Sequence, residues 1–281
     1  MRHPLSSLPL AALAFCACHP AATLDGSWET PGQRTAAPLP AITAPPTPAP
    51  LPPTAPADSP ALLNKTIHGI AFEGVAFDSR SHRLAVIDQS RGPGSEFATS
   101  EAVARETGAL LAINAGFFTP EGKPLGLVVS GGSRRGAWDS ASSLGSGIFV
   151  ESPSGGMSIT RRSSPSAASG ARELIQAGPL LVEDGKRVGG LDGSKPAVRS
   201  ILLTDGGNRW WVGKTSLCTL AALGETLASA SPAPWRVSHA LNLDGGRSTD
   251  LFVAGKISGG PISRRGFLNR PVRNFLTLEL R

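Results

Sequence analysis

The sequence predicts an α+β fold, a single strand-rich domain with a mixed β-sheet and two or three helices. Short runs of β-forming residues, bounded by Gly, Asp and Ser, recur from residue 66 to the C terminus. Helix signals, a capping residue before an apolar face, are confined to a few segments. Of the 25 prolines, 11 fall within residues 31–60, so the folded domain is expected over residues 63–281.

Residues 1–18 predict a signal peptide. A basic start precedes a run of 11 mostly apolar residues, 8–18, which is too short to cross a bilayer as a helix. Cys18 follows the small residue Ala17 and is the favoured lipid-attachment site, with Cys16 less suitable because a bulky phenylalanine precedes it. A plain secretory signal cleaved near Ala17 is the alternative. The protein is therefore expected to be exported, either periplasmic, anchored as a lipoprotein, or secreted.

Residues 19–62 predict a proline-rich, disordered tether. Ala-Pro and Pro-Pro pairs recur within it, and they fix the backbone, remove amide donors and favour polyproline II. Such a segment cannot bury a core and would act as a semi-rigid spacer between an anchor and the domain. A disordered tail without a role is the alternative.

Composition and charge exclude several classes of protein. With 40% apolar and 17% charged residues in 281, the chain is not fibrous, polytopic or fully disordered, and three cysteines are too few for a disulfide scaffold. Residues 61–281 hold 25 basic and 18 acidic side chains, a net charge of +7. The arginines occur in small groups without interleaved aromatic residues, which argues against nucleic acid as a partner. Anionic envelope polymers or phosphorylated sugars fit the charge better.

The elements follow from local signals. Strands are predicted at 66–72, 74–77, 83–88, 109–113, 126–130, 147–151, 198–204, 210–213, 240–243, 250–253 and 272–280. Helices are predicted at 100–107, capped by Ser100, and at 216–230, capped by Ser216. A helical turn is expected at 171–176, followed by a hairpin over 179–188 that turns at Asp184-Gly185.

Two predicted strands end in a polar residue beside glycine. Asn114 follows an apolar run and precedes Gly116, and Asp244 follows another and precedes Gly245-Gly246. A rigid strand positions such a side chain at the surface, and glycine allows the backbone to approach a ligand closely. Turn chemistry alone is the alternative for either segment taken singly.

These segments resemble a known family. INAGFF with EGKPLGLVV (113–129), QAGPLLVEDG (176–185), Arg199, NLDGGRST (242–249) and RPVRNFLTLELR (270–281) are similar to the phosphodiester glycosidase family, in particular to its exopolysaccharide-related bacterial branch. The resemblance covers roughly residues 65–281. Arg247 is a departure, because many members have a third glycine there.

The resemblance implies cleavage of a sugar's anomeric bond with a phosphate ester as the leaving group. A phosphomonoester has its second pKa near 6, so it leaves readily and a pair of carboxylates is not required. Asp244 is the expected carboxylate. Arg199 and Arg273 are expected to bind phosphate, because a guanidinium matches its oxygens, and ion pairs with surface carboxylates are the alternative for both. Asn114 and Asn274 are expected to bind sugar hydroxyls or an acetamido group.

The remaining expected site residues surround these. Predicted substrate-binding residues also include Gly116, Phe117, Gly178, Gly245, Gly246, Arg247, Ser248 and Thr249. Of these, Ser248 or Thr249 would orient Asp244 or the substrate. Glu101 and Asp250 remain candidates for a second carboxylate. No cofactor is expected, and the histidines lack the spacing of a metal site.

Two functional hypotheses follow. The first is an exported hydrolase acting on a sugar-1-phosphodiester of the cell envelope or of an extracellular glycan, touching the membrane only through a lipid anchor. The alternative is an anchored, non-catalytic glycan-binding or polysaccharide-export protein with the same pocket. The proline-rich segment and the departure at Arg247 motivate the alternative.

Overall fold

Three antiparallel sheets and two helices form the domain in a computed structural model, which describes residues 59–163 and 165–281. The first sheet contains, in spatial order, β1 (Ala61–Ile67), β2 (Ile70–Asp78), β13 (Arg209–Thr215), β12 (Ser200–Thr204), β14 (His239–Asn242), β10 (Leu180–Glu183) and β11 (Lys186–Arg187). The second contains β16 (Ile262–Arg265), β15 (Asp250–Val253), β4 (Leu111–Asn114), β17 (Asn274–Leu280) and β3 (His82–Asp88). The third contains β6 (Ser133–Arg135), β5 (Val128–Ser130), β9 (Glu173–Ala177), β7 (Gly147–Glu151) and β8 (Met157–Arg161).

The expected mixed sheet is wrong. Every strand pairing among the described residues is antiparallel. Parallel neighbours need long crossover connections, usually helical, whereas many successive strands here are joined by tight turns such as Asp184-Gly185. The strand-rich content is as predicted, and the two helices make the domain mostly β.

The two helices differ in how well the sequence locates them. Helix α1 (Ser100–Thr107) has the predicted bounds, but Thr99 caps it by accepting from the Ala102 amide, and Gly108 ends it with a φ of 70°. Helix α2 (Leu220–Ser229) begins later than predicted because Thr219, rather than Ser216, is the cap.

The segment 171–176 is a strand rather than the expected helical turn. All five residues of β9 are buried, so neither of its faces carries the polar stripe that marks a helix. Its one acidic side chain, Glu173, accepts hydrogen bonds from the Val86 and Gly131 amides. The sequence gives no sign of these partners, which lie more than 40 residues away.

The core brings the three sheets together. Its largest cluster takes Leu202 from β12, Leu111 from β4 and Ile175 from β9, all fully buried. Because each sheet packs one face into this cluster, the ends of strands from different sheets lie side by side. The Asp244 amide, just beyond β14 of the first sheet, donates to the carbonyl of Ala115, just beyond β4 of the second, at 2.8 Å.

The predictions for residues 1–58, the signal peptide, Cys18 and most of the tether, lie outside the described residues. Strand β1 begins at Ala61, so the fold starts two residues before the predicted boundary at 63. Between residues 59 and 281, leaving out residue 164, no helix is both long and apolar enough to cross a membrane.

Candidate active site

Backbone hydrogen bonds join the predicted strand-end motifs. The Asp244 amide donates to the Ala115 carbonyl at 2.8 Å, and the Ala115 amide donates to the Asn274 carbonyl at 3.1 Å. Asn114 and Asn274 come from the second sheet, whereas Asp244 follows β14 of the first. The structure thus brings together three residues that are up to 160 positions apart in the sequence.

Asp244 has the chemistry of a functional carboxylate. Burial raises its pKa from 3.8 to about 6, although hydrogen bonds from the Ser248 side chain and the Gly245 amide oppose that shift. No Lys, Arg or His of the described residues forms an ion pair with it. A partly buried acid whose charge is unpaired is costly to maintain and is typical of a functional site.

Asn114 fixes the backbone at Asp244 through hydrogen bonds. Its side chain is fully buried; Nδ2 donates to the Asp244 carbonyl at 2.7 Å, and Oδ1 accepts from Ser200 Oγ at 2.7 Å and from the Asp250 amide at 3.1 Å. With these partners, the amide has no free face for a sugar. The expected sugar contact is therefore replaced by a positioning contact, which ties β4, β12 and β15 to the Asp244 carbonyl.

Two glycines shape the turn after Asp244. A Cβ on Gly245 would lie 2.7 Å from the Val198 carbonyl, and Gly246 has a φ of +60°. A side chain at the first position would push the turn away from Val198, and one at the second would strain the backbone. The turn therefore packs directly against the segment that carries Arg199.

Arg199 is held in place without a carboxylate. Its guanidinium donates to the Lys195 carbonyl at 2.8 Å and to the Cys218 carbonyl at 3.5 Å, and it forms no ion pair with the described residues. Burial lowers its pKa, but a guanidinium stays charged. Nearby Asp192 opposes the lowering of the pKa but lies beyond ion-pair distance, so the guanidinium keeps a charge that can meet an anion.

Arg273 does not fit the predicted phosphate-binding role. Only 6% of it is exposed, and it forms a two-pronged ion pair with buried Asp88, at 2.8 and 2.9 Å. Its third guanidinium nitrogen donates to the Gly122 carbonyl at 2.9 Å. All three nitrogens are used within the protein, so this arginine holds the 119–122 loop to β3 and β17.

Asn274 lies beside the predicted Gly116. Its Oδ1 accepts from the Gly116 amide at 2.6 Å, while its buried Nδ2 has no hydrogen-bond partner among residues 59–163 and 165–281. A Cβ on Gly116 would lie 3.3 Å from Oδ1, so glycine permits this contact. Phe117 packs, partly buried, against the main core.

The other predicted residues have mixed placements. Gly178 is buried, its carbonyl accepts from Asn242, and a Cβ there would overlap the Ser143 carbonyl, so it serves packing rather than substrate contact. Arg247 is exposed and donates to the Leu268 carbonyl at 2.9 Å. Thr249 is buried and its Oγ1 has no partner among the described residues.

Neither candidate for a second carboxylate is free. The Asp250 carboxylate accepts from the Ser100 amide at the start of α1 and pairs with Arg265 at 3.3 Å. Glu101 pairs with Arg105 on the surface of α1. Both side chains therefore serve to stabilise helix α1.

A cationic cleft beside the Asp244 turn was missed by the sequence analysis. It encloses about 320 Å³ and is lined by Val198, Lys214, Gly246, Thr249, Ser263, Arg264, Arg265, Gly266 and Asn269. Lys214 forms no ion pair with the described residues, and burial lowers its pKa, opposed by nearby Glu73. The only sequence signal for Lys214 is the Gly213-Lys214-Thr215 tripeptide, which lacks the rest of a phosphate-binding loop.

A larger cleft, of about 510 Å³, lies elsewhere, around Phe77, Arg209 and Trp235, and contains none of the predicted site residues.

No group of three or more His, Cys, Asp or Glu side chains suited to a metal ion occurs in the described part of the chain.

Solved structures share the fold. The catalytic domain of zebrafish N-acetylglucosamine-1-phosphodiester α-N-acetylglucosaminidase, auto-inhibited by its pro-peptide, is 16% identical, with a TM-score of 0.55 over 79% of this chain and 83% of that one. A hypothetical protein from Synechocystis is 19% identical, with a TM-score of 0.53 over 78% and 61%. A putative exported protein from Burkholderia pseudomallei K96243 is 14% identical, with a TM-score of 0.51 over 74% of each chain.

The sequence comparisons identify the family. No curated protein sequence matches the chain significantly. The profile of the phosphodiester glycosidases matches residues 107–279, which is more than half of the chain and includes Asn114, Arg199, Asp244 and Asn274. The chain therefore belongs to the phosphodiester glycosidase family and is a hydrolase.

Proposed function

We propose that this hydrolase cleaves the C1–O bond of a sugar-1-phosphodiester, with Asp244 as its essential carboxylate. The observation that carries the proposal is the environment of Asp244: a pKa raised to about 6 by burial, an unpaired charge, and a turn fixed by Asn114 and the Ala115 carbonyl. A carboxylate with a pKa near neutrality can accept a proton and still be ionised at working pH.

The leaving group explains why one carboxylate suffices. When the C1–O bond breaks, the bonding electrons leave with a phosphate monoester, whose second pKa is near 6, so no strong general acid is needed. Water supplies the new C1–O bond, and its proton passes to Asp244 or to solvent. Asp244 also stabilises the positive charge that develops at C1.

Arg199 is proposed to bind the phosphate. Its segment packs on Gly245, directly after Asp244, and its guanidinium has only carbonyl partners. Lys214 lines the cleft that Gly246 also lines, and so adds a cation near the Asp244 turn. A guanidinium stabilises the charge that grows on the departing oxygen more than the charge of the bound diester, which is what lowers the barrier.

The proposed setting is the cell envelope or an extracellular glycan. The apolar run 8–18, Cys18 after a small residue, and the net positive charge of the folded part support export, a lipid anchor and an anionic glycan substrate. Nucleic acid is not a proposed partner, and no cofactor is invoked.

The bond that breaks identifies the reaction. Hydrolysis of N-acetylglucosamine-1-phosphomethyl ester in ¹⁸O-labelled water should release methyl phosphate that contains no ¹⁸O, because the label goes to the sugar. Incorporation of ¹⁸O into the phosphate would show attack at phosphorus and contradict the proposal. Other sugars in the same diester form would define which one is preferred.

The role of Asp244 is tested by Asp244→Asn, which should lower kcat/KM about a thousandfold or more, as removal of an essential catalytic group does. Asp205→Asn is a control for loss of one carboxylate at a different place, the β12–β13 turn, where Asp205 pairs with Arg209. Equal activity of the Asp244 variant and wild type would remove Asp244 from the mechanism.

A further inference from the structure

An apolar tip projects from the domain beside the candidate active site. Phe267 is 102% exposed and Leu268 is 66% exposed, relative to reference values for the free residues. The other large exposed apolar residues in the described ranges, Leu125, Leu144, Leu217 and Leu280, are isolated from one another in the sequence. Isolated apolar residues on a surface are ordinary, whereas an adjacent aromatic and aliphatic pair with no packing partner indicates a surface built for contact.

Hydrogen bonds fix the backbone of the turn that carries Phe267 and Leu268. The Asn269 amide donates to the Gly266 carbonyl at 3.0 Å, Arg247 Nε donates to the Leu268 carbonyl at 2.9 Å, and the Arg270 amide donates to the Arg247 carbonyl at 3.0 Å. These bonds hold the backbone of the tip on both sides. The two side chains are therefore presented outward by a fixed backbone.

Arginines surround the tip. Arg264 pairs with Glu73 at 2.9 Å and Arg265 with Asp250 at 3.3 Å, whereas Arg247 and Arg270 form no ion pair with the described residues. All four are exposed. Between residues 251 and 278 the sequence contains no Asp or Glu, so the surplus charge is positive. Apolar side chains flanked by arginines fit a lipid bilayer, whose apolar interior lies beneath a layer of anionic headgroups.

The tip and the candidate carboxylate share one structural unit. Asn269 Nδ2 donates to the Thr249 carbonyl, and Arg247, which holds the tip, lies three residues after Asp244. Whatever surface the tip contacts is therefore brought next to the Asp244 turn.

We propose that Phe267 and Leu268 insert into the interface of a bilayer that contains anionic phospholipid, while Arg247 and Arg270 bind the lipid phosphates. This deepens the proposed function and rests on it: the substrate class would be sugar phosphodiesters carried on lipid at the membrane surface. Anionic lipid attracts each basic residue near the surface, and burial of each apolar side chain in the bilayer adds to the affinity.

Vesicle binding by the full chain tests the docking. Wild type and the double variant Phe267→Ser/Leu268→Ser would be sedimented with phosphatidylcholine vesicles, with and without phosphatidylglycerol. The double variant should lose about tenfold or more in partition coefficient on the anionic vesicles. Leu217→Ser/Leu280→Ser is the matched control, because those leucines are 68% and 69% exposed but lie outside the tip. The apolar run 8–18 is common to every variant and cancels in the ratio.

Turnover separates this inference from the proposed function. The tip variant should hydrolyse N-acetylglucosamine-1-phosphomethyl ester as wild type does, but hydrolyse a lipid-linked sugar phosphodiester in anionic vesicles about tenfold more slowly. Unchanged vesicle binding by the tip variant would overturn the docking. If that variant also lost turnover of the soluble substrate, the tip would instead bind the sugar. If it lost a dimer, the tip would instead contact a second copy of the chain. If wild type hydrolyses neither diester, the proposed function fails while vesicle binding still decides the docking.

Discussion

Arg199 and Arg273 have nearly the same local sequence and opposite environments. Each follows a valine and precedes the polar residue that begins a strand, Ser200 of β12 or Asn274 of β17. Asn274 pairs across the sheet with Asp88, whereas Ser200 pairs with Lys214. The neighbouring strand therefore decides the role: Asp88 of β3 forms an ion pair with Arg273 and makes it a frame residue, whereas β13 contains no acidic residue that could pair with Arg199.

The largest expected effect concerns the stability of the Arg273 region. Arg273→Met should lower the free energy of unfolding by about 3–5 kcal/mol, because it leaves the buried Asp88 carboxylate unpaired. Urea denaturation measures the loss. The double variant Asp88→Asn/Arg273→Met should recover part of it. An Arg273 variant that unfolds like wild type but no longer turns over substrate would return Arg273 to the phosphate site.

Arg199 should show the reverse pattern. Arg199→Gln is expected to lower kcat/KM about a hundredfold, since it removes a charge held for the phosphate, while unfolding shifts by less than about 1 kcal/mol because only hydrogen bonds to carbonyls are lost. Arg209→Gln, on the β12–β13 turn, is the control for loss of one positive charge. If Arg199→Gln destabilises as much as Arg273→Met, the contrast between the two arginines is wrong.

A smaller effect is expected on the stability of the Asp244 turn. The unfolded chain releases the Asp244 proton near pH 3.8 and the folded protein near 6, so the folded state binds more protons between these values and wild type loses stability as pH rises through that window. Asp244→Asn lacks this loss and should be more stable at pH 7 by about 3 kcal/mol at most, less because an amide accepts the Ser248 and Gly245 hydrogen bonds more weakly, with no such gain below pH 4. Thermal unfolding at several pH values measures it, and a variant less stable than wild type at pH 7 would contradict the raised pKa.

The sequence locates the elements whose signals are local. Helix α1 and strand β15 have the predicted bounds, since a cap, a terminal glycine and a short β-forming run mark their ends. The start of α2 and the identity of β9 were wrong because they depend on distant partners: the first on how far β13 extends, the second on amides that satisfy buried Glu173. Strands β6, β8 and β16 were not predicted at all; each is short and mostly polar.

The same limit applies to the site. The motifs at Asn114, Asp244 and Asn274 could be read from strand ends and glycines, and the structure brings them together. The contacts of the Asn114 and Arg273 side chains could not be predicted, because Ser200 and Asp88 reach them from other strands. The tip at Phe267 and Leu268 gave no signal either, since a two-residue apolar run does not show whether it is buried.

The pH dependence of kcat/KM for wild type on a soluble sugar-1-phosphodiester tests the central claim most directly, because it reports the ionisation of the free enzyme. If ionised Asp244 activates water or stabilises the charge at C1, kcat/KM should rise with a midpoint near pH 6 and remain level above it. The residual activity of Asp244→Asn should lack that midpoint. Activity that falls above pH 6, or that passes through this range unchanged in wild type, would contradict a role for Asp244 as the essential ionised carboxylate.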